Sequence, residues 1–388
     1  MDYGAVLMAL TPVGLAEAAM LAFALRMRKR GRSGCSGCAA SCVVLLAALA
    51  LSVNLALLLV AAPGQHQQAV WVSHAIPDTL DVVLVRKAAV PRALLPGTMV
   101  VKVAYAALNP IDYQFAPLRK LPFLRWLVPQ TYGLDGSGVV HEANCDGFKA
   151  GDAVFGAIVT GSAQEFALAP CALMARVPLG LSMAKAAASP GCAATAYDAL
   201  ADVVKPGSRV LVIGAAGGCG SMGVALAKSL NAAHVACVAS EKNRALATST
   251  LGCDAFYAYD QADFESRLRN ELARKVDVAY DTVSGPFADD ADYYALIVKL
   301  DLLSEAGTIR ALLPIQASEY ANPLPRRTIV NGSPSASTLN VLAQRHRGML
   351  DSVLVRDAGS AFDIDGVRKA VALLKSRRAT GKLVLKVA

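Results

Sequence analysis

A glycine-rich loop between an apolar strand and a helix constrains the fold of this chain more than any other feature. Residues 210–213 read VLVI, which predicts a buried strand, and residues 221–230 predict a helix. Between them the chain reads GAAGGCG. Further strands are predicted at 234–239 and 276–280, with a helix at 242–251. This alternation of strands and helices predicts right-handed βαβ units and a parallel sheet.

The loop matches the Ala-x-Gly-x-x-Gly form of the dinucleotide-binding fingerprint. Gly217 lets the backbone approach a pyrophosphate, Gly220 permits close packing of the helix on the strand, and the amides at the helix N-terminus attract phosphates. A turn whose glycines have only a structural role is the alternative. The predicted cofactor-binding residues of this loop are Ala215, Gly217, Gly218, Cys219 and Gly220.

The end of the second predicted strand decides which dinucleotide is bound. An acidic side chain there binds the ribose 2′-hydroxyl of NADH, whereas cations accept the 2′-phosphate of NADPH. Ala239 occupies the expected position of the acid, and Ser240, Lys242 and Arg244 follow it. The sequence therefore predicts NADPH in preference to NADH. In the alternative, the two cations are a solvated helical turn and Glu241 binds the ribose.

Two apolar runs near the N-terminus predict membrane-spanning helices. Residues 39–62 carry no charge and are long enough, at ~1.5 Å per residue, to cross a ~30 Å hydrocarbon core. Residues 4–25, interrupted by Glu17, form either a second span or a targeting element. The basic segment RMRKRGR at 26–32 belongs on the cytoplasmic or matrix side, which puts the C-terminal bulk of the chain on the opposite side.

The nine cysteines argue for a different sidedness. Their odd number and irregular spacing argue against a disulfide framework and favour a reducing compartment. Thiols beside a membrane are preferred over a metal site for Cys35, Cys38 and Cys42. From the cysteines and the NADPH chemistry together, we expect a protein of the mitochondrial inner membrane with its C-terminal part in the matrix. The basic segment at 26–32 predicts the opposite side, so the sidedness stays open. The lipid bilayer is one predicted partner.

Composition excludes one further partner class, and turn and strand patterns indicate how the chain continues after the apolar runs. The net charge is +8, but only 6% of the residues are aromatic, and the basic residues are not interleaved with aromatic ones. Nucleic acid is therefore not predicted as a partner. Residues 63–68 read PGQHQQ, which predicts a linker, and short strands are predicted at 81–87 and 99–104 around a turn at Pro96-Gly97. The predicted membrane anchor is residues 1–68, and residues 70–175 predict an antiparallel β-rich region.

Seven landmarks follow one another in the order of a known family. They are at 96–112, 133–140, 147–156, 193–200, 205–220, 280–285 and 381–387. With them, residues 77–388 resemble the medium-chain dehydrogenase/reductase superfamily, specifically its zinc-independent quinone oxidoreductase and enoyl reductase branch. The resemblance implies a GroES-like catalytic domain at 70–193 and 325–388 and a Rossmann domain with a doubly wound parallel sheet at 194–324, with the cofactor in the cleft between them.

The resemblance extends to individual side chains. Asn109 resembles the family asparagine near the nicotinamide, and Tyr113, in the same cleft, either donates a proton or hydrogen bond to a carbonyl or only lines the pocket. Thr195 resembles a threonine that contacts the cofactor, and Lys382 a lysine close to it, with a solvated lysine at a strand end as the alternative. Ser284 replaces the first glycine of a family turn beside the cofactor.

The zinc ligands of the metal-dependent members are missing from the sequence. Residues 107–110 read ALNP and residues 133–135 read GLD, where those members have Cys and Gly-His-Glu, so Asp135 is interpreted as a structural carboxylate and no zinc is expected. Together with the apolar runs and the end of the second predicted strand, the resemblance implies a membrane-anchored, NADPH-dependent reductase of a small, hydrophobic, electrophilic quinone or α,β-unsaturated carbonyl. The alternative is a non-catalytic accessory subunit of a mitochondrial membrane complex that keeps the fold with or without a bound nucleotide.

Overall fold

The computed structural model describes most of the chain that follows the apolar runs. The described residues are 61–72, 82–114, 131–272, 275–285, 291–330, 332 and 334–388. The predicted spans at 4–25 and 39–62 lie outside them, apart from residues 61 and 62, as do Cys35, Cys38 and Cys42. Within the described ranges, no helix is long and apolar enough to cross a bilayer.

Strands and helices are labelled in chain order. The strands are β1 (Ala61–Val72), β2 (Val82–Pro91), β3 (Thr98–Ala107), β4 (Asp135–Asn144), β5 (Ala153–Ala157), β6 (Phe166–Pro170), β7 (Met174–Arg176), β8 (Arg209–Ile213), β9 (His234–Ala239), β10 (Ala255–Ala258), β11 (Val276–Asp281), β12 (Leu303–Ala311), β13 (Arg327–Ile329), β14 (Val355–Ser360) and β15 (Lys382–Lys386). The helices are α1 (Pro110–Gln114), α2 (Met183–Ala188), α3 (Pro190–Leu200), α4 (Gly218–Ser229), α5 (Phe264–Glu271), α6 (Tyr293–Lys299), α7 (Ala336–Arg345), α8 (Arg347–Asp351) and α9 (Ile364–Lys375).

The first compact unit contains the β-rich part of the chain. It consists of the described residues up to Val177 together with Asp357–Arg377 and Val384–Ala388. Its larger sheet has the order β14-β15-β3-β4-β5-β7, with β6 also on β3. The pairs of β3 with β4, β6 and β15 are all antiparallel, which confirms the predicted antiparallel β-rich fold. Met99 and Val101 of β3 are fully buried in its core.

The linker predicted at 63–68 is wrong. These residues belong to β1, which pairs antiparallel with β2 through register shifts on either side of the His66–Gln67 pairings. Gln67 is buried, and its side-chain amide donates 2.9 Å to the carbonyl of Ala89 and 3.3 Å to Oε1 of Gln164. A buried polar side chain is stable when its hydrogen bonds are made, so partners distant in sequence turn a polar, Pro-Gly-containing stretch into a strand.

The second compact unit contains the parallel sheet. It comprises Pro178–Arg356 and Arg378–Leu383, whereas the family resemblance implied domain boundaries at 193/194 and 324/325. The strand order β10-β9-β8-β11-β12-β13, with every pair parallel, is the doubly wound Rossmann order. The central strands are buried along nearly their whole length, as strands covered by helices on both faces must be.

One predicted helix of this unit is irregular. Where residues 242–251 predict a single helix, the chain forms a 3₁₀ turn at Glu241–Asn243 and a π-helical segment at Leu246–Thr250. The hydroxyl of Thr248 donates 3.0 Å to the carbonyl of Arg244, and such a bond to the preceding turn disturbs regular helical geometry. Local side-chain bonding therefore overrides the helical periodicity.

The prediction against disulfides is also wrong. Cys145 is bonded to Cys171 in the first unit, and Cys237 to Cys253 in the second. Their Cα separations of 6.6 and 6.0 Å lie within the range a disulfide spans. Irregular spacing along the sequence did not reveal these pairs because strand pairing brings them together. The cysteine argument for a reducing compartment therefore loses its basis.

Candidate functional site

The glycine loop turns at the carboxyl end of β8, where a Rossmann sheet binds its ligand. Gly214 has φ +80°, in the left-handed region that glycine favours, and a Cβ there would overlap the hydroxyl of Thr282. The amides of Gly214 and Ala215 donate 3.0 and 3.1 Å to the carbonyl of Val238 on β9. Because Ala215 is fully buried, its methyl group packs in the core and only its backbone faces the loop.

Gly217 and Gly220, the two glycines of the fingerprint, differ in what surrounds them. A Cβ on Gly220 would overlap the carbonyl oxygen of Gly214, so Gly220 is needed for the close approach of α4 to the loop. A Cβ on Gly217 would have one neighbour, the same oxygen at 3.3 Å, which leaves a cradle open on its other sides. The first turn of α4, at Gly218, Cys219 and Gly220, carries the positive end of the helix dipole, which attracts an anion. This geometry fits a pyrophosphate.

Lys382 lies against the same loop. The amide of Gly381 donates 2.8 Å to the carbonyl of Ala216, and Gly381 also forms a parallel bridge with Gly217. Lys382 is only 4% exposed, and its Cδ would lie 3.5 Å from a Cβ on Gly218. The structure thus places Lys382 beside the glycine loop, buried, whereas the alternative was a solvated lysine at a strand end.

Thr195 lies on α3, on the side that faces this loop. Cys192, three residues earlier on the same helical face, is within 3.5 Å of both Cys219 and Lys382. The Thr195 hydroxyl donates 2.6 Å to the carbonyl of Gly191, and a Cβ on Gly332 would overlap its oxygen. Neither Cys192 nor Gly332 was predicted as a site residue, because their proximity arises only in the folded unit.

The end of β9 presents a polar network next to the loop. Ser240 is buried, and its hydroxyl accepts a hydrogen bond of 2.9 Å from the side-chain amide of Asn243. The side-chain oxygen Oδ1 of Asn243 in turn accepts a hydrogen bond of 3.2 Å from the hydroxyl of Thr380, which lies two residues before Lys382. This network connects the predicted 2′-phosphate position to the segment that carries Lys382. Nothing in the sequence marked Asn243 or Thr380 as a site residue.

The two predicted cations differ in their surroundings. The guanidinium of Arg244 donates to both carboxylate oxygens of Glu241, at 2.6 and 2.7 Å, and lies 4.8 Å from the ring centroid of Phe256. The hydrogen bonds of this pair lower the pKa of Glu241 and raise the pKa of Arg244. Lys242 is exposed to solvent beside Ser240. Lys242 is therefore the better placed of the two cations, and Glu241 is already engaged by Arg244.

Asp281 ends β11, directly across from the end of β8. It is fully buried, and its Oδ1 accepts hydrogen bonds of 3.0 Å from the amides of Val283 and Ser284, while Oδ2 has no partner within the described residues. The Ser284 hydroxyl accepts 3.0 Å from the amide of Tyr293, at the start of α6. Ser284 therefore holds α6 to the turn, which gives this departure from the family pattern a structural role.

The two predicted catalytic residues lie in the first unit. Asn109 precedes α1; its side-chain amide donates 2.9 Å to Oδ2 of Asp135, and its backbone amide donates 2.7 Å to Asp112. The pairing of β3 with β4 sets Ala107 opposite Asp135 and so creates the first contact. The Ser162 hydroxyl bonds the carbonyl of Asp135 at 2.7 Å. Tyr113, on α1, is half-buried.

No group of three or more His, Cys, Asp or Glu side chains in the described part of the chain is arranged to hold a metal ion. Zinc independence itself stays a prediction.

Comparison with known proteins identifies the family. Residues 95–196 match the alcohol dehydrogenase GroES-like domain, and residues 218–296 match the zinc-binding dehydrogenase domain. The 2-methylene-furan-3-one reductase of Solanum lycopersicum is 30% identical over 299 residues, which cover 74% of this chain and 71% of the relative. The chain belongs to the medium-chain dehydrogenase/reductase superfamily.

Other members of the superfamily are similar over different lengths. The trans-enoyl reductase pgmF of Aspergillus terreus is 30% identical over 49% of this chain, and the match spans 56% of that relative, little more than half its length. The solved quinone oxidoreductase from Coxiella burnetii has 25% identity and a TM-score of 0.68 over 84% of this chain and 100% of its own. The chain is an oxidoreductase of the enoyl and quinone reductase type.

Proposed function

We propose that this protein is an NADPH-dependent reductase that transfers a hydride to a quinone or an α,β-unsaturated carbonyl. The observation that carries the proposal is the cradle at Gly217, which opens at the N-terminus of α4 with the buried Lys382 beside it. A helix N-terminus and an adjacent cation are the chemistry that a pyrophosphate requires.

The choice of NADPH rests on the end of β9. Ser240 and Lys242 supply a hydroxyl and a cation for a 2′-phosphate, and an acidic residue is missing at position 239. Asn243 holds the Ser240 hydroxyl at 2.9 Å, which orients it for that role. The pairing of Arg244 with Glu241 supports a secondary role for both in nucleotide selection.

When bound, the nicotinamide supplies the hydride, and the protein supplies orientation and hydrogen bonds. The relatives include reductases of enones and a quinone oxidoreductase, which supports an electrophilic, largely apolar acceptor. Asp135 accepts a hydrogen bond from the side-chain amide of Asn109, and Asp112 accepts one from its backbone amide. The side chain of Asn109 is therefore oriented before any ligand binds. Tyr113 is the candidate donor of a hydrogen bond to the acceptor carbonyl.

Steady-state kinetics test this function. The purified full-length protein is assayed with a panel of quinones and enones, with NADPH and NADH in parallel, and again after treatment with a metal chelator. We expect turnover with at least one acceptor, a kcat/KM for NADPH about tenfold or more above that for NADH, and no effect of the chelator. Equal use of the two cofactors contradicts the assigned role of Ser240 and Lys242.

We further propose that the apolar run before residue 61 anchors the protein in the mitochondrial inner membrane. Two disulfides within the folded units favour an oxidising compartment, and the basic segment at 26–32 favours the same side, opposite the matrix. Carbonate extraction should leave the full-length protein in the membrane pellet. Protease added after the outer membrane is opened should digest the C-terminal part; protection until the inner membrane is broken would contradict this sidedness.

A further inference from the structure

Two thiols and an ammonium group meet behind the phosphate-binding loop. Cys219 is the second residue of α4, and its Sγ donates a hydrogen bond to Sγ of Cys192 on α3 at 3.5 Å. The Nζ of Lys382 donates to the same Cys192 sulfur at 3.5 Å. Cys192 is 4% exposed, whereas Cys219 is half-buried and reaches solvent. Nothing in the proposed hydride transfer requires sulfur at either position.

The surroundings of the pair favour reaction of the two thiols with each other. Cys192 accepts two hydrogen bonds, one of them from a buried cation, and both stabilise a thiolate. Cys219 lies in the first turn of α4, where the positive end of the helix dipole favours a negative charge on sulfur. A disulfide requires a sulfur separation of about 2.05 Å, so the two atoms have to approach by about 1.5 Å. Rotation of the two side chains and a small shift of the first turn of α4 can supply this movement.

We propose that Cys192 and Cys219 form a peroxide-sensitive modification site that closes to a disulfide and weakens dinucleotide binding. Hydrogen peroxide oxidises the accessible Cys219: its sulfur gains one oxygen as the O–O bond breaks, and one water leaves. The Cys192 thiolate then attacks the sulfenic sulfur of Cys219, so that the S–S bond forms and the S–O bond breaks. Hydroxide leaves and takes a proton from Lys382 to become water. Two thiols and one peroxide thus give one disulfide and two waters.

The effect on binding rests on the proposed function, because it assumes that the loop holds a pyrophosphate. A Cβ on Gly218 would already lie 2.9 Å from Sγ of Cys192, so the first turn of α4 packs directly on this sulfur. Pulling Cys219 toward Cys192 displaces the amides that face the phosphates. The disulfide also weakens the hydrogen bond by which the Cys192 sulfur positions the Nζ of Lys382. We expect oxidation to weaken NADPH binding by about tenfold or more.

The test uses the full-length protein in detergent, reduced, freed of reductant and then exposed to hydrogen peroxide. Remaining thiols are blocked with N-ethylmaleimide, and the digest is examined by mass spectrometry without reduction. We expect the peptide carrying Cys192 to be joined to the one carrying Cys219, and the link to disappear with dithiothreitol. A digest of the protein before reduction, in which Cys237 is joined to Cys253, provides the reference for an existing disulfide. Separate alkylation or overoxidation of Cys192 and Cys219 would overturn the proposal.

Variants separate the two halves of the proposal. NADPH titration should show weaker binding after peroxide in the unmodified protein, with recovery on reduction, and no response to peroxide in Cys192→Ser. Lys382→Met should slow formation of the link, and Lys382→Arg should restore part of the rate. A link that forms without a change in affinity would overturn the effect on binding. Formation of the link in a protein that binds no dinucleotide even when reduced would instead contradict the proposed function.

Discussion

The side-chain amide of Asn109 donates a hydrogen bond of 2.9 Å to the carboxylate of Asp135, which is fully buried in the first unit. By the family resemblance, zinc-dependent members have Gly-His-Glu where this chain reads Gly-Leu-Asp at residues 133–135. Here the carboxylate has become the acceptor that fixes an amide.

Replacement of Asp135 tests whether it acts by positioning Asn109. Asp135→Ala leaves the Asn109 amide without its acceptor, so we expect kcat to fall about tenfold or more and the free energy of unfolding to fall by about 1–3 kcal/mol. The KM for NADPH should change little. Asp135→Asn retains an acceptor oxygen and should recover part of the turnover. An unchanged kcat in the alanine variant would contradict the positioning role.

The fingerprint glycines should separate binding from stability. Gly217→Ala places a methyl group in the open cradle, so NADPH binding should weaken at least about tenfold while thermal unfolding hardly changes. Gly220→Ala places a methyl group on the carbonyl of Gly214, so it should destabilise the fold by about 1–3 kcal/mol or more. Calorimetry and NADPH titration on both variants measure the two effects. Retained affinity in Gly217→Ala would remove the pyrophosphate from this loop.

Lys242→Ala tests the 2′-phosphate site. Loss of this exposed cation should weaken NADPH binding by about tenfold and leave NADH binding nearly unchanged. Lys205→Ala is the matched control, because Lys205 is also exposed but precedes β8 at the amino ends of the strands. Equal losses for the two dinucleotides, or the same loss in the control, would be incompatible with a specific contact.

Gly223 of α4 and Tyr280 of β11 form a close helix–strand contact. A Cβ on Gly223 would lie 2.5 Å from two ring carbons of Tyr280, which is fully buried, so Gly223→Ala should destabilise the protein by about 1–3 kcal/mol. Gly348→Ala on α8 meets no atom within 4 Å and should stabilise by about 0.5–1 kcal/mol through helix propensity. Chemical denaturation of both variants compares them. A Gly223→Ala protein as stable as the original would show that the helix can move away from the strand.

The parallel sheet could be predicted because its signals are local. The strand predicted at 234–239 matches β9 residue for residue, and the loop after β8 leads into α4 as the glycine spacing requires. Apolar runs of this kind are buried wherever the sheet forms, so their prediction needs no knowledge of the partner strands. The tight turn of this loop follows from its glycines, because a Cβ at Gly214 or Gly220 would overlap neighbouring atoms.

Features that depend on distant partners could not be predicted. The polar segment 63–68 became part of β1 because Gln67 finds Gln164 and Ala89 across the fold. The disulfides depend on strand pairing, and the availability of Arg244 depends on Glu241 and Phe256. The contact of Cys192 with Cys219 likewise joins two helices whose packing no spacing rule gives.

Transfer of deuterium from NADPH to an acceptor tests the central claim most directly. The full-length protein is supplied with NADPH deuterated at C4 of the nicotinamide, once on each face, and with an enone that it reduces. Direct hydride transfer predicts that one of the two labelled forms delivers a single deuterium to the β-carbon of the product, detected by mass spectrometry. If neither labelled form gives a deuterated product, or if NADPH binds but no acceptor is reduced, the assignment of this protein as a reductase is contradicted.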